Sequence, residues 1–191
     1  MSGALDIRPL TPERAEDLVT LFEANSVTRG CWCMFWRLPS AEFRSAGRVA
    51  LRAAFLARIA EGARPPGLLA YDGDGPAAWV QITPRAELPR FQRVPTARPA
   101  ADTPEDAWAL SCFFVRKDRQ RQGLMTVLAR AACGFAADHG AAAVEAAARR
   151  PGGGMAWGEG YTGLVPALLH AGFVEVEDRT PLRVLMRWTP G

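Results

Sequence analysis

One stretch of the sequence has the make-up of an anion site. Val115-Arg116-Lys117-Asp118-Arg119-Gln120-Arg121-Gln122-Gly123-Leu124-Met125 leads from an apolar run, through a cationic turn, into residues with helical apolar spacing. The first turn of a helix leaves backbone N–H groups unpaired and carries the positive end of the peptide dipole. Gly123 lacks the side chain that would hold a phosphate away from them. Arg116, Lys117, Arg119 and Arg121 add mobile positive charge, which favours a pyrophosphate over a carboxylate. The plain alternative is a solvated charged turn closed by an ordinary glycine.

A second concentration is Cys31-Trp32-Cys33-Met34-Phe35-Trp36-Arg37, which packs thiols, aromatic rings and a thioether into seven residues. Such a cluster either fills core or walls an apolar site. A metal reading is weak, because Cys-X-Cys is not the usual ligand spacing and only His139 and His170 could add to it. No metal is therefore expected.

These segments need a scaffold, and 191 residues at 49% hydrophobic content suffice for one well-buried core, so a single domain over 1–191 is expected. Net charge is +3, with Lys117 the sole lysine and acidic residues interspersed, so no basic tract suggests a nucleic-acid partner. Apolar runs fall well short of the ~20 residues that cross a bilayer, and MSGALDIRPL does not read as a leader, so the expectation is a cytoplasmic protein without a membrane partner. Cys31, Cys33, Cys112 and Cys133 are too sparse for a secreted disulfide scaffold and are expected to be free thiols.

Strands and helices alternate along the chain. Leu5, Ile7 and Pro9 share one side of an extended segment, and Thr11-Pro12 then opens a helix to about Glu23 that buries Ala15, Leu18, Val19 and Phe22. Residues 41–62 read as one helix with Phe43, Gly47, Leu51, Phe55 and Ile59 on its apolar side. Residues 67–71 and 77–82 flank Asp72-Gly73-Asp74-Gly75 as a hairpin. Thr83 to Thr103 reads as a long connection with one helical turn near Ala86–Leu88. Residues 107–115 form a nearly continuous apolar strand, and a helix from Gly123 to His139 turns Leu124, Val127, Leu128, Ala131 and Phe135 inward. The alanine run 141–148 is read as a short buried strand, residues 151–163 as a glycine-rich mobile loop, 165–171 as a helix, and 173–177 with 182–188 as a closing hairpin. The sum is α/β with a mixed central sheet of about six to seven strands.

Gln120-Arg121-Gln122-Gly123-Leu124-Met125 resembles the acetyl-coenzyme A signature of the GNAT superfamily of N-acetyltransferases: Gln or Arg, two residues, Gly, one residue, then Gly or Ala. Met125 departs from the last position. Val115 precedes Gln120 by the usual five residues, Leu169-His170-Ala171-Gly172-Phe173 resembles the late helix end and Gly-Phe strand start, and the element order agrees over essentially the whole chain. The resemblance implies a GNAT-like sheet whose strands ending near Val115 and around Val144 are parallel and splay apart. It implies acetyl-coenzyme A as cosubstrate, with the backbone of Val115 pairing with pantetheine and that of Gln120, Arg121, Gln122, Gly123, Leu124 and Met125 holding the pyrophosphate. The N–H of Phe113 would polarise the thioester carbonyl.

By the same resemblance the connection around Cys31 borders the acceptor side, making Trp32, Phe35, Trp36 and Arg37 candidate acceptor contacts; the alternative, which space-filling by aromatics favours, is that the segment packs under the second helix as core. The family commonly keeps a tyrosine four residues before the late Gly; this chain has Leu168 there. Tyr161 is then the candidate proton donor or simply a loop anchor, and Glu145 a candidate general base or an ordinary strand carboxylate. The function so implied is transfer of an acetyl group to a small amine by direct attack in a ternary complex. Net positive charge argues against a polycationic acceptor unless Glu87, Asp102, Glu105 and Asp106 form an acidic patch. The alternatives are a catalytically weak acyl-CoA-binding regulatory module, motivated by the missing tyrosine, and a redox module on Cys31 and Cys33. The final hairpin could also extend across a homodimer.

Overall fold

In a computed structural model, which describes residues 5–73, 75–152 and 159–191, strand β1 (Asp6–Pro9) leads through a 3-10 turn into α1 (Ala15–Glu23). Then come α2 (Ser26–Cys31), α3 (Ser40–Ser45), α4 (Arg48–Glu61), β2 (Gly67–Tyr71), β3 (Pro76–Pro84), α5 (Pro89–Arg93) and β4 (Trp108–Val115). The chain continues through α6 (Leu124–Asp138), β5 (Val144–Arg149), a 3-10 turn at Glu159–Thr162, α7 (Val165–His170), β6 (Val174–Thr180) and β7 (Arg183–Trp188).

The seven strands form one sheet in the order β1-β2-β3-β4-β5-β7-β6. Only β4 and β5 are parallel, and they pair over just Trp108↔Val144 and Ala109↔Glu145 before diverging. The expected mixed sheet with a splayed parallel pair is present.

Strand alternation sends neighbouring side chains to opposite faces. Val80, Leu110, Phe113, Val144 and Ala146 pack under α6 and α7, whereas Leu69, Trp79 and Phe114 pack under α1, α4 and the segment Trp32–Met34. Burial on both faces makes the alanine run a strand despite the helical propensity of alanine. Gly67 permits a tight β2–β3 approach: a Cβ there would lie 2.1 Å from the Val80 carbonyl oxygen and 2.5 Å from the Trp79 ring. Gly67→Ala is expected to cost about 2–3 kcal/mol through this overpacking, read as a lowered urea midpoint at unchanged m-value. A wild-type midpoint would overturn the packing argument.

Three expectations shift. Residues 41–62 form two helices, because Gly47 is extended (φ −74°, ψ 160°) and separates α3 from α4. A further helix, α2, follows α1 where none was expected, and the Asn25 side chain caps it by accepting from Val27 N–H. The buried stripe of α6 is Leu124, Leu128, Ala129, Ala132, Cys133 and Ala136, leaving Val127 exposed. Most of the glycine-rich stretch, residues 153–158, lies outside the described residues.

Candidate active site

Strand β4 changes register against β3 in mid-course: Leu110 faces Ile82 and Cys112 faces Gln81, so Ser111 is an extra residue, a β-bulge. Backbone N–H groups alternate between the two edges of a strand. Trp108 N–H donates to Ala143 O on the β5 side, and Arg116 N–H donates to Ala77 O on the β3 side. Without the bulge those two bonds require opposite parity. With it, the N–H groups of Phe113 and Val115 turn toward β5 just where β5 has departed. The Val115 carbonyl, on that same edge, accepts the Gln120 side-chain amide at 3.3 Å.

Beyond β4 the chain turns into α6 through two left-handed residues, Arg121 (φ 62°) and Gly123 (φ 78°). Among the described residues, no protein acceptor meets the backbone N–H of Arg121, Gln122, Gly123, Leu124 or Met125. A run of free amides at a helix start is a nest for an anion. A Cβ on Gly123 would touch nothing within 4 Å, so the space above these amides is open. Arg116 and Arg119 are not free cations: Arg116 pairs with Asp118 (2.8 Å) and Asp72 (3.2 Å), and Arg119 pairs with Asp72. The Met125 side chain leans toward the interior, where its sulfur accepts Leu164 N–H at 3.3 Å.

On the sheet face opposite α6 lies a cavity of about 250 Å³. Phe35, Trp36, Phe43, Val27 and Tyr161 line it, with Cys31, Cys33, Thr28, Gln81, Ser111, Cys112 and Thr162. The bulge puts Ser111 and Cys112 on this face together. Ser111 Oγ donates to Gln81 Oε1 (2.9 Å), Gln81 Nε2 donates to Cys33 O (3.3 Å), and Trp79 Nε1 donates to Cys33 Sγ (3.2 Å), fastening the cysteine segment to β3. Burial, then the neighbouring Cys33, pushes the Cys31 thiol up to about 12. Its hydrogen bond with Cys33, then burial, holds Cys112 well above the usual thiol range. Both remain neutral thiols at physiological pH. Tyr161 lies near parallel to Phe114 (centroids 6.4 Å, 18°), and burial, then the nearby Cys112, raises its hydroxyl pKa.

Residues 32–153 match the Acetyltransferase (GNAT) family. The chain belongs to that family. Solved GNAT folds superpose along nearly its whole length. The GNAT domain of PAT from S. lividans is 20% identical, with a TM-score of 0.58 over 98% of this chain and 92% of that one. AAC(6′)-Ib in complex with ribostamycin and coenzyme A is 15% identical, with a TM-score of 0.58 over 98% and 94%. An acetyltransferase from Thermus thermophilus is 18% identical, with a TM-score of 0.51 over 99% of both chains. At these identities the likeness is one of fold. No curated protein matches the chain in sequence.

Several residues expected at the site of this GNAT protein are engaged elsewhere. Trp32 is fully buried against Phe22, away from the cavity lining. Arg37 is 7% exposed and donates to Glu87 at 3.2 Å, with burial and then Arg58 pulling its pKa down to about 9. Glu145 is completely buried, and its carboxylate accepts from Arg85 (2.7 Å), Thr103 (2.8 Å) and Arg187 (3.0 and 2.8 Å). Two members of the expected acidic patch are engaged by arginines, Glu87 by Arg37, Arg58 and Arg64 and Asp102 by a bidentate pair with Arg187, whereas Glu105 and Asp106 are exposed. Gln81, Ser111, Cys112 and Phe43 line the cavity unforeseen. The signal for the bulge was Ser111 itself, a hydroxyl within an otherwise apolar buried strand.

Proposed function

We propose that the protein transfers an acetyl group from acetyl-coenzyme A to a small amine by direct attack in a ternary complex. The observation that carries this is two sets of backbone donors that meet no protein acceptor among the described residues, Phe113 and Val115 on the splayed edge and Arg121–Met125 at the start of α6. Phe113 is buried, where donors are rarely left unpaired, whereas Arg121, Gln122 and Gly123 are exposed, where a pyrophosphate can reach their amides; an acyl carrier with amides and a pyrophosphate supplies acceptors for both sets. Gly123, Leu124, Met125, Arg121 and Gln122 would hold the pyrophosphate, with Lys117 beside them. Gln120 would release the Val115 carbonyl to the pantetheine.

In the transfer, the neutral amine attacks the thioester carbonyl, the C–N bond forms, the nitrogen loses a proton to solvent water, the C–S bond breaks, and the departing thiolate takes a proton from Tyr161, which solvent reprotonates. The Phe113 N–H stabilises the oxyanion. Tyr161 donates the proton, since its raised pKa keeps the phenol protonated throughout the neutral range. An apolar pocket also disfavours the ammonium form, delivering the neutral amine without a dedicated carboxylate base. Glu145 is then an anchor holding β5 to Arg85 and Arg187. AAC(6′)-Ib, solved with ribostamycin and coenzyme A, supports the carrier in this reading.

Calorimetry with acetyl-coenzyme A should show saturable heat, and amine addition should release thiol. Saturable binding without amine-dependent thiol release would favour the regulatory module, a reading kept alive by the fully buried Leu168 at the family's tyrosine position. The rate should rise with pH as the amine loses its proton. It should decline only above the ordinary tyrosine range, because the protonated phenol is the active form and its pKa is raised. Tyr161→Phe is expected to lower kcat about a hundredfold and to abolish that alkaline decline; an unchanged profile would make Tyr161 a loop anchor.

A further inference from the structure

The cavity is uncharged inside and cationic at its edge. Among the described residues its lining contains no carboxylate, lysine or arginine. Of the carboxylates that could have met a cationic acceptor, Glu87, Asp102 and Glu145 are held by arginines. At the edge, the Arg90 guanidinium lies 3.7 Å from the centroid of Phe35, a wall residue, and its Nε is buried without a hydrogen-bond partner. Among the described residues neither Arg90 nor Arg44 makes an ion pair. Burial first, and then the charge of Arg44 on α3, lowers the Arg90 pKa.

Resting on the acetyltransferase reading above, we infer that the acceptor is a compact apolar amine bearing one carboxylate, such as an aromatic or branched aliphatic amino acid. Its apolar body would fill the pocket between Phe35, Trp36, Phe43 and Tyr161, and its carboxylate would meet the Arg90 guanidinium at the edge. About 250 Å³ falls below the ~300–1,000 Å³ usual for drug-sized ligands. A polycation would bring charges that nothing here neutralises, and burying an unpaired charge is costly.

The test is thiol release from acetyl-coenzyme A with phenylalanine, leucine, their carboxamides, spermidine and an aminoglycoside, beside calorimetry with acetyl-coenzyme A alone. The amino acids should exceed their carboxamides about tenfold in kcat/KM, and both polycations by about a hundredfold or more. Arg90→Met, which keeps the stem over Phe35, should erase the preference for the carboxylate while leaving carboxamide rates within about threefold; Arg90→Lys should restore part of it. Faster turnover of a polycation, equal rates for acid and amide, or saturable acetyl-coenzyme A binding with no turnover of either amino acid would each overturn the inference while sparing the carrier site. No heat with acetyl-coenzyme A would instead overturn the reading beneath it.

Discussion

Glu145→Gln is expected to lower the unfolding free energy by about 3–5 kcal/mol, a larger loss than Gly67→Ala should cause. The carboxylate is fully buried, and Arg85, its partner at 2.7 Å, has a side chain only 3% exposed. Removing one charge strands the other in a site where water cannot replace it. The loss should appear as a lowered urea midpoint, while the pH dependence of turnover per folded molecule stays that of wild type. Intact stability combined with loss of the acid limb of the rate profile would return Glu145 to the role of general base.

Gly123→Val should weaken acetyl-coenzyme A binding by about a hundredfold, measured by calorimetry at fixed ionic strength. At φ 78° a β-branched residue is strained, and relieving that strain rotates the neighbouring amides away from their common focus. Losing one or two charge-assisted hydrogen bonds at ~1.5–3 kcal/mol each accounts for the factor. Open space around the glycine means that core packing does not drive the effect, so the fold should survive with far-ultraviolet circular dichroism unchanged. Wild-type affinity in the variant would remove the α6 start from the carrier site.

Local pattern carried much of the fold. The Asp72–Gly75 turn, the apolar run of β4 and the glycine at the start of α6 each state their structure within a few residues, because turn chemistry, two-sided burial and helix-end geometry are short-range. The division at Gly47 was obscured by an apolar spacing that continues across it. What escaped the sequence was relational. Glu145 meets Arg85, Thr103 and Arg187 across separations of 60, 42 and 42 residues, and no local pattern announces such a network. Likewise Trp32 and Phe35 are near neighbours of one type in the chain, yet one is enclosed against Phe22 and the other lines the cavity, a distinction set by the tight turn where Trp32 and Cys33 both take positive φ.

Cys33 is held by Trp79 and Gln81, two β3 residues whose ladder partners are Phe114 and Cys112 on the carrier strand. Under the function proposed above, the acceptor wall and the carrier strip beside it would be gauged from one ruler. Exchanging the outer rings Phe35, Trp36 or Phe43 would then re-tailor what is admitted while its reach to the reactive carbonyl stayed constant. A site built this way could diversify by local spelling changes, whereas alkylating the Cys33 sulfur at the rivet would detune admission and chemistry in one stroke.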